Sequence, residues 1–273
     1  MIKQGFSKFN GFHFITLSPM TGEPVLNIVQ TRTSSNSKTG KTVQTWHLMP
    51  DIAPLEARRY GAGDESICGK CPHRAKPDEK AGSCYVYGFV IKAIYEAYQR
   101  GRYPSWEVFG DTLTEVLAKA GEDKTVRLGA YGDPVCMGPE AIAALCSEAK
   151  GWLGYTHQWR DSNLAWAKAW MMASADNPKD LTDSIADGWR AFAVYSPDVE
   201  PADALAIARK SGAKVVKCPA SNEAGNKTSC NACPIKCSGT GSGIGHSVMI
   251  QAHGAGSVLS RYRSSDNNEQ WKG

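Results

Sequence analysis

Nine cysteines carry most of the chemistry that this sequence offers, at positions 68, 71, 84, 136, 146, 218, 230, 233 and 237. Four of them, Cys218, Cys230, Cys233 and Cys237, fall within twenty residues, and the last three read C-x2-C-x3-C. Proline directly follows Cys218 and Cys233. A looser group is Cys68, Cys71 and Cys84, with His73 two residues beyond Cys71. Clustered thiols are disulfides in an oxidising compartment and metal ligands in a reducing one. The odd count argues against a complete disulfide framework. The start of the chain, MIKQGFSKFNG, is polar and glycine-rich rather than a basic segment leading into an apolar run. No apolar stretch reaches the roughly 18 residues of a membrane span. The expectation is a cytoplasmic protein with no membrane partner, whose clustered thiols hold metal.

The spacing bears on which metal. Structural zinc sites favour paired C-x2-C motifs that close a tetrahedron. The first group has three thiols and the second has one C-x2-C pair flanked by single cysteines. Unequal short spacings and Cys-Pro steps recur in iron–sulfur ligation, so two [4Fe-4S] clusters are the leading reading and zinc the alternative. Three thiolates on a four-iron cluster leave one iron open to a small molecule, whereas four close it. Cys68, Cys71 and Cys84 are thus expected to hold an open cluster. Cys218, Cys230, Cys233 and Cys237 are expected to hold a closed one.

These residues must be positioned by a scaffold, and its rhythm is visible. At 273 residues, 42% hydrophobic and 21% charged, with a net charge of +4, the chain is ordinary for a globular protein and mildly basic. Residues 1–42 read as a β-rich lead-in with a hairpin tip over 34–40. Gly40-Lys41-Thr42 is not a phosphate loop, because that motif needs glycine where Ser35 stands. A strand over 43–49, the first cysteine loop, and helices over 86–100 and 111–120 follow. From 124 strands and helices alternate: strands over 126–131, 153–157, 169–175, 189–195, 213–217 and 247–252, with helices from Pro139, from Asn177 and over 203–211. Such alternation predicts an α/β fold with parallel strands joined by right-handed crossovers, a partial or complete β/α barrel over 43–255. Residues 256–273 read as a polar, frayed tail.

In a β/α fold, sites form at the carboxyl ends of the strands. The residues there include Gly132-Asp133, His157, Asp176 and His253. Both cysteine groups also follow strands, so both are expected on that one face. Each polar residue has a plainer reading: Asp133 and Asp176 as caps or turn formers, His157 and His253 as satisfied histidines. Cys146 lies on the apolar stripe Ile142, Leu145, Cys146, Ala149 and reads as core, while Cys136 stays unassigned. His73 is either a fourth ligand or a loop residue.

A strand, then a three-cysteine loop, then a helix, with Tyr131-Gly132-Asp133-Pro134 after the next strand, resembles the radical S-adenosylmethionine enzymes. The resemblance implies that the open iron binds the cofactor's amino and carboxylate groups, with Gly132 and Asp133 positioning the amine. His157, Asp176 and His253 would be the candidates for catalysis on a substrate that the sequence does not name, and an electron donor would be needed. The chain departs from that family in having C-x2-C-x12-C for its usual C-x3-C-x2-C, Asp133 for a glutamate and Ser83 before the third cysteine. Over about 40–255 it is also similar to small bacteriophage cysteine-rich proteins, through the cysteine loop, the Gly-Asp step and Tyr155-Thr156-His157, which implies the host cytoplasm. Two other readings stay open: a non-catalytic iron–sulfur protein with His73 capping the open iron, and a zinc-stapled module. Arg261, Arg263, Lys272, Trp271 and Trp159-Arg160 would give that module a nucleic-acid surface, where a solvated tail is the plainer alternative.

Overall fold

The structure is a computed structural model and describes residues 5–32, 38–61, 63–221, 224–225 and 228–272. The chain is α/β. In order its elements are β1 (Gly11–Leu17), β2 (Pro24–Gln30), β3 (Thr42–Leu48), α1 (Pro54–Ala57), α2 (Glu65–Cys68), α3 (Gly88–Gln99), α4 (Leu113–Gly121), β4 (Thr125–Tyr131), α5 (Pro139–Cys146), β5 (Gly151–Leu153), β6 (Tyr155–Thr156), β7 (Met172–Ala175), α6 (Pro178–Ala186), β8 (Ala191–Tyr195), α7 (Pro201–Arg209), β9 (Val215–Lys217), β10 (Ser247–Gln251), α8 (Gly256–Arg263) and α9 (Asp266–Glu269). Two five-stranded sheets form, in the orders β1-β2-β3-β4-β5 and β6-β7-β8-β10-β9. The second is parallel throughout; in the first, β1-β2-β3 are antiparallel and β3-β4-β5 parallel. The lead-in is therefore the antiparallel half of the first sheet. The centre of the expected hairpin tip lies outside the described residues.

Local chemistry explains the helix starts. Thr112 and Glu115 form a reciprocal capping box at α4. Asn177 Oδ1 accepts from Asp180 N at 2.8 Å with Pro178 in the first turn of α6, and Gly188 leaves with φ +76°.

Three features differ from the sequence expectation. The strand expected over 153–157 is broken at Gly154, whose N–H bonds Cys237 O at 3.0 Å and whose carbonyl accepts from Met172 N at 3.0 Å. A Cβ there would lie 3.0 Å from Leu128 Cβ, so glycine admits the close approach that the break needs. Second, β10 inserts between β8 and β9, because the long cysteine loop after β9 lets the last strand return inside the sheet edge. Third, the tail is not frayed. It forms α8 and α9, and Trp271 is 0% exposed, packing on Tyr195 at 6.3 Å and donating Nε1–H to Asp176 O at 3.1 Å. A single tryptophan anchors a segment whose composition is otherwise that of a solvated end.

β3 is buried at every position, including Gln44, Thr45 and His47. Its pairing with β4 slips between Gln44↔Arg127 and Trp46↔Tyr131, a bulge at Gly129 (φ +68°) whose N–H is taken by Thr45 Oγ1 at 2.8 Å. The Thr45 hydroxyl proton then goes to His47 Nε2 at 3.2 Å, and His47 Nδ1–H donates to Asn27 Oδ1 at 2.8 Å. His47 is thus held neutral, and burial lowers its pKa to about 3. The unfolded chain binds the extra proton between pH 6.5 and 3, so stability falls as pH drops through that window by about 1.4 kcal/mol per unit. Denaturant unfolding at pH 7 and pH 5 is expected to show a loss of about 2 kcal/mol from this group. His47→Gln is expected to flatten the slope; equal slopes in the two proteins would refute the assignment.

Candidate functional site

The first cysteine loop is wound by short local bonds. Cys68 N bonds Asp64 O at 2.9 Å, Cys71 N bonds Cys68 O at 3.1 Å, and Cys84 N returns to His73 O at 3.1 Å. That last contact brings the distant third cysteine beside the first two, and it depends on Gly82, where a Cβ would meet His73 O at 2.2 Å. Arg74 ties the turn through Nε–H to Asp64 Oδ1 at 2.7 Å and Nη1–H to Gly69 O at 2.8 Å. Arg58 donates to Val86 O and Cys84 O on the returning side. Burial raises the Cys68 pKa strongly, with the charges of Cys71, Asp64 and Cys84 adding to it. Burial also raises that of Cys84, with Arg58 opposing. In Cys71 burial is outweighed by His157 and His73, and the pKa falls.

Beside this loop, at the ends of β6 and β7, His157 and Asp176 meet His73. His73 Nε2 lies 2.9 Å from Asp176 Oδ1, and His157 Nε2 lies 3.1 Å from Asp176 Oδ2. Among the described residues, these three bring one ligand atom each within 4.8 Å of one another. His73 Nδ1 also meets Ser83 Oγ at 2.8 Å. Burial resists charge on both rings, yet Asp176 raises the pKa of His73, and Cys71 with Asp176 raises that of His157 strongly. Burial likewise resists ionisation of Asp176, but the two histidines hold its carboxyl well below the usual range. His253 is not in this group. Its exposed ring faces Tyr85 at 5.7 Å and donates Nδ1–H to Gln251 O at 3.0 Å.

Gly132 and Asp133 are tied into the fold. Asp133 Oδ2 accepts from Thr156 Oγ1 at 2.9 Å, His157 N at 3.0 Å and Gln158 Nε2 at 3.3 Å, and Oδ1 accepts from Val135 N at 3.2 Å. Its carboxylate takes four donors from the protein, three at Oδ2 and one at Oδ1. Gly132 sits at φ +76°, and a Cβ there would lie 2.6 Å from His47 Cβ, so glycine lets β4's end close on β3. The Asp133 N–H bonds Ile67 O at 2.6 Å, next to Cys68. This step builds the floor of the cysteine loop. Cys136 packs against the same segment, its Sγ 3.5 Å from Ser66 O, and Cys146 is in the core as expected.

The second group, Cys218, Cys230, Cys233 and Cys237, lines one pocket with Leu153 and Val248. None of the nine cysteines is in a disulfide. Burial pushes the Cys237 thiol up to about 12, with a hydrogen bond from Tyr155 opposing and Cys218, Cys230 and Cys233 adding. Burial raises Cys230 too, with Cys218 the next cause. The expectation that both groups share the carboxyl-end face is wrong. Cys230 N and Asn231 N bond Lys38 O and Thr39 O just before β3, and Lys236 lies against Gly151 at the start of β5. Buried Arg190, at the start of β8, donates to the carbonyls of Ile235, Lys236, Ser238 and His246. β9 is only three residues long and pairs with the first half of β10, so Cys218 leaves the sheet early and the loop runs back to the amino ends.

The residues proposed for a nucleic-acid surface are engaged within the fold. Trp159 is buried and donates Nε1–H to Ser174 O, while Arg160 stacks on its ring at 3.9 Å and pairs with Asp180. Arg261 donates to Gly82 O, Arg263 pairs with Asp198, and Lys272 with Glu269. Among the described residues, no helix is long and apolar enough to cross a membrane. No protein-family profile, curated protein or solved structure matches this chain. Its chemistry is therefore read from its own residues. Sequence reasoning gave Arg190 no role beyond the strand over 189–195, though a charge directly before the apolar run Ala191–Tyr195 was a usable signal.

Proposed function

We propose that this chain is an iron–sulfur protein with two [4Fe-4S] clusters, acting as a radical S-adenosylmethionine-type enzyme. Cys68, Cys71 and Cys84 would hold the open cluster, and Cys218, Cys230, Cys233 and Cys237 the closed one. One observation carries the reading. The three thiols lie at the carboxyl ends of parallel strands beside half-buried histidines, whereas the four line a pocket of their own on the amino side. That division suits a reactive site and a sealed one. The strand sequence β3-β4-β5, then β6-β7-β8-β10-β9 across the one-residue break at Gly154, supports a partial barrel as the scaffold.

The donor sets fit the group. Several buried thiols that raise one another's pKa are a poor neighbourhood for bare thiolates and a good one for a polycationic core. Tetrahedral zinc would draw its thiolates to about 3.8 Å from one another. Among the described residues, no three cysteines bring their sulfurs within 4.8 Å of one another. His73 meets Ser83 through Nδ1 and Asp176 through Nε2.

Cys68, Cys71 and Cys84 would hold the open cluster, whose chemistry when loaded and reduced would be one-electron reductive cleavage of S-adenosylmethionine to methionine and a deoxyadenosyl radical able to abstract hydrogen from substrate. The residues of the chain do the rest: the cysteine loop binds, Arg58 and Arg74 fix that loop, and His157 hydrogen-bonds the Cys71 sulfur with Asp176 behind it. Anaerobic purification is the test. About eight irons and eight sulfides per chain, a spectrum altered by S-adenosylmethionine and formation of deoxyadenosine are expected. Fewer than about four irons with little sulfide would overturn the two-cluster reading. Full clusters that ignore S-adenosylmethionine would overturn the enzymatic half, and stoichiometric zinc in colourless protein would favour the zinc-stapled module.

A further inference from the structure

We propose that His73, His157 and Asp176 form a mononuclear site for a divalent transition metal ion, separate from both cysteine groups. The donors come from three elements, the cysteine loop, the end of β6 and the end of β7, and converge although up to 103 residues separate them. A metal about 2.1 Å from each of two imidazole nitrogens and a carboxylate oxygen sets neighbouring donors about 3.0–3.4 Å apart. The two N···O separations here are 2.9 Å from His73 to Asp176 Oδ1 and 3.1 Å from His157 to Asp176 Oδ2, and one donor atom from each residue lies within 4.8 Å of the other two. The rings meet edge-on, 5.7 Å between centroids at 76°, an arrangement that lets both Nε2 atoms face one point.

The surroundings are those of a supported site. His73 is oriented by Ser83 through Nδ1, and the Asp176 main chain is fixed by Trp271 at its carbonyl. The His157 ring is held by the Cys71 sulfur. Such outer partners set ring orientation and donor strength in metal sites. The Asp176 side chain is 2% exposed, but those of His73 and His157 are 14% and 21%, so the carboxylate is sealed while the imidazole side opens to solvent. Three protein donors with an open side leave room for water or a substrate oxygen. Two imidazoles and one carboxylate select zinc or ferrous iron over magnesium or calcium. The same groups also satisfy one another as a hydrogen-bonded trio, so the two descriptions differ in one measurable quantity, bound metal.

The site stands whether or not the cysteines carry iron, and its test keeps the two apart. Anaerobically purified full-length protein is equilibrated with Zn2+ by dialysis, while iron and acid-labile sulfide are counted on the same samples. Wild type is expected to bind one equivalent of zinc that Asp176→Asn and the double variant His73→Ala/His157→Ala lack, whatever iron and sulfide each retains. The affinity of that equivalent should fall more than about 100-fold in these variants, and about 10–100-fold in Ser83→Ala, which alters only an outer partner. Ser83→Ala decides the matter should the others fail to fold, as judged by their melting curves. Equal zinc binding in wild type and Ser83→Ala, or in wild type and folded Asp176→Asn, would overturn the proposal. Loss of iron with the zinc equivalent retained would instead count against the iron–sulfur reading alone.

Discussion

Trp271→Ala is expected to be among the most destabilising single changes in this chain, at about 3–5 kcal/mol. The indole is 0% exposed and packs on Tyr195 among the apolar residues of the second sheet. Its loss opens a large cavity beneath α8 and α9, which are otherwise held by Tyr262, by the Asn177–Asn267 bond and by Arg261, Arg263 and Lys272 at the surface. Tyr262 is the other buried anchor, through its hydroxyl to Val194 O at 3.3 Å. The change also removes the donor to Asp176 O, leaving a buried carbonyl without that partner. Trp271→Phe separates the two effects, because it retains most of the packing and loses the hydrogen bond, and should cost about 1–2 kcal/mol. The measurement is denaturant unfolding of both variants beside wild type. A Trp271→Ala cost below about 1 kcal/mol would mean that the tail is the solvated end its composition suggests.

The tail illustrates what the sequence made legible. Periodicity is a local signal, so strand and helix rhythm from 124 onward could be read, along with the caps at Asn177 and Pro178 and the core position of Cys146. Membership of the two thiol groups was also local, since spacing defines it. The rest was not, because it depends on contacts remote in sequence. Nothing near Asp133 announces that its oxygens will collect donors from 156–158. The rule that sites follow strand ends misdirected the second cysteine group, because β9 ends halfway along its neighbour and the loop is long enough to turn back. His157 and Asp176 could be nominated singly from their positions after strands. Their meeting with His73, which comes from a loop far upstream, needed the fold.

β6 shows how closely the two thiol groups are coupled to the scaffold. Tyr155 hydrogen-bonds Cys237 on one side, and His157 hydrogen-bonds Cys71 on the other. Thr156 between them is fastened to Asp133 at 2.9 Å. β6 and the residue after it thus touch both groups, and they are held by pairing with β7 and by the buried Asp133 carboxylate.

Asp133→Ala should therefore act on stability and on the cysteine loop together. The carboxylate is fully enclosed; burial raises its pKa, while the charge of His157 and the bonds from Val135, Thr156 and His157 oppose that rise. Removing it strands the Thr156 hydroxyl, the Val135 and His157 N–H groups and one Gln158 amide hydrogen. Leaving several buried donors without an acceptor is expected to cost about 3–5 kcal/mol. Gln158 carries the effect outward, since its Nε2 also donates to Cys68 O at 3.0 Å and its Oε1 accepts from Lys70 N at 3.1 Å. With Asp133 gone, that side chain loses one of the contacts that fix it, and the turn holding Cys68 and Cys71 loosens. Alkylation of Cys68 and Cys71 in metal-free protein should then run about ten-fold faster or more, as a local opening easier by 1.4 kcal/mol would give. The thiols of the second group, anchored by Arg190 at the other end of the sheet, should react at their wild-type rate. Asp133→Asn keeps one acceptor for the three donors at Oδ2 but sets an amide N–H against Val135 N–H, so a smaller cost of about 1–2 kcal/mol is expected. If Asp133→Ala leaves both unfolding and Cys68 alkylation unchanged, the carboxylate is not the tie between β4, β6 and the cysteine loop.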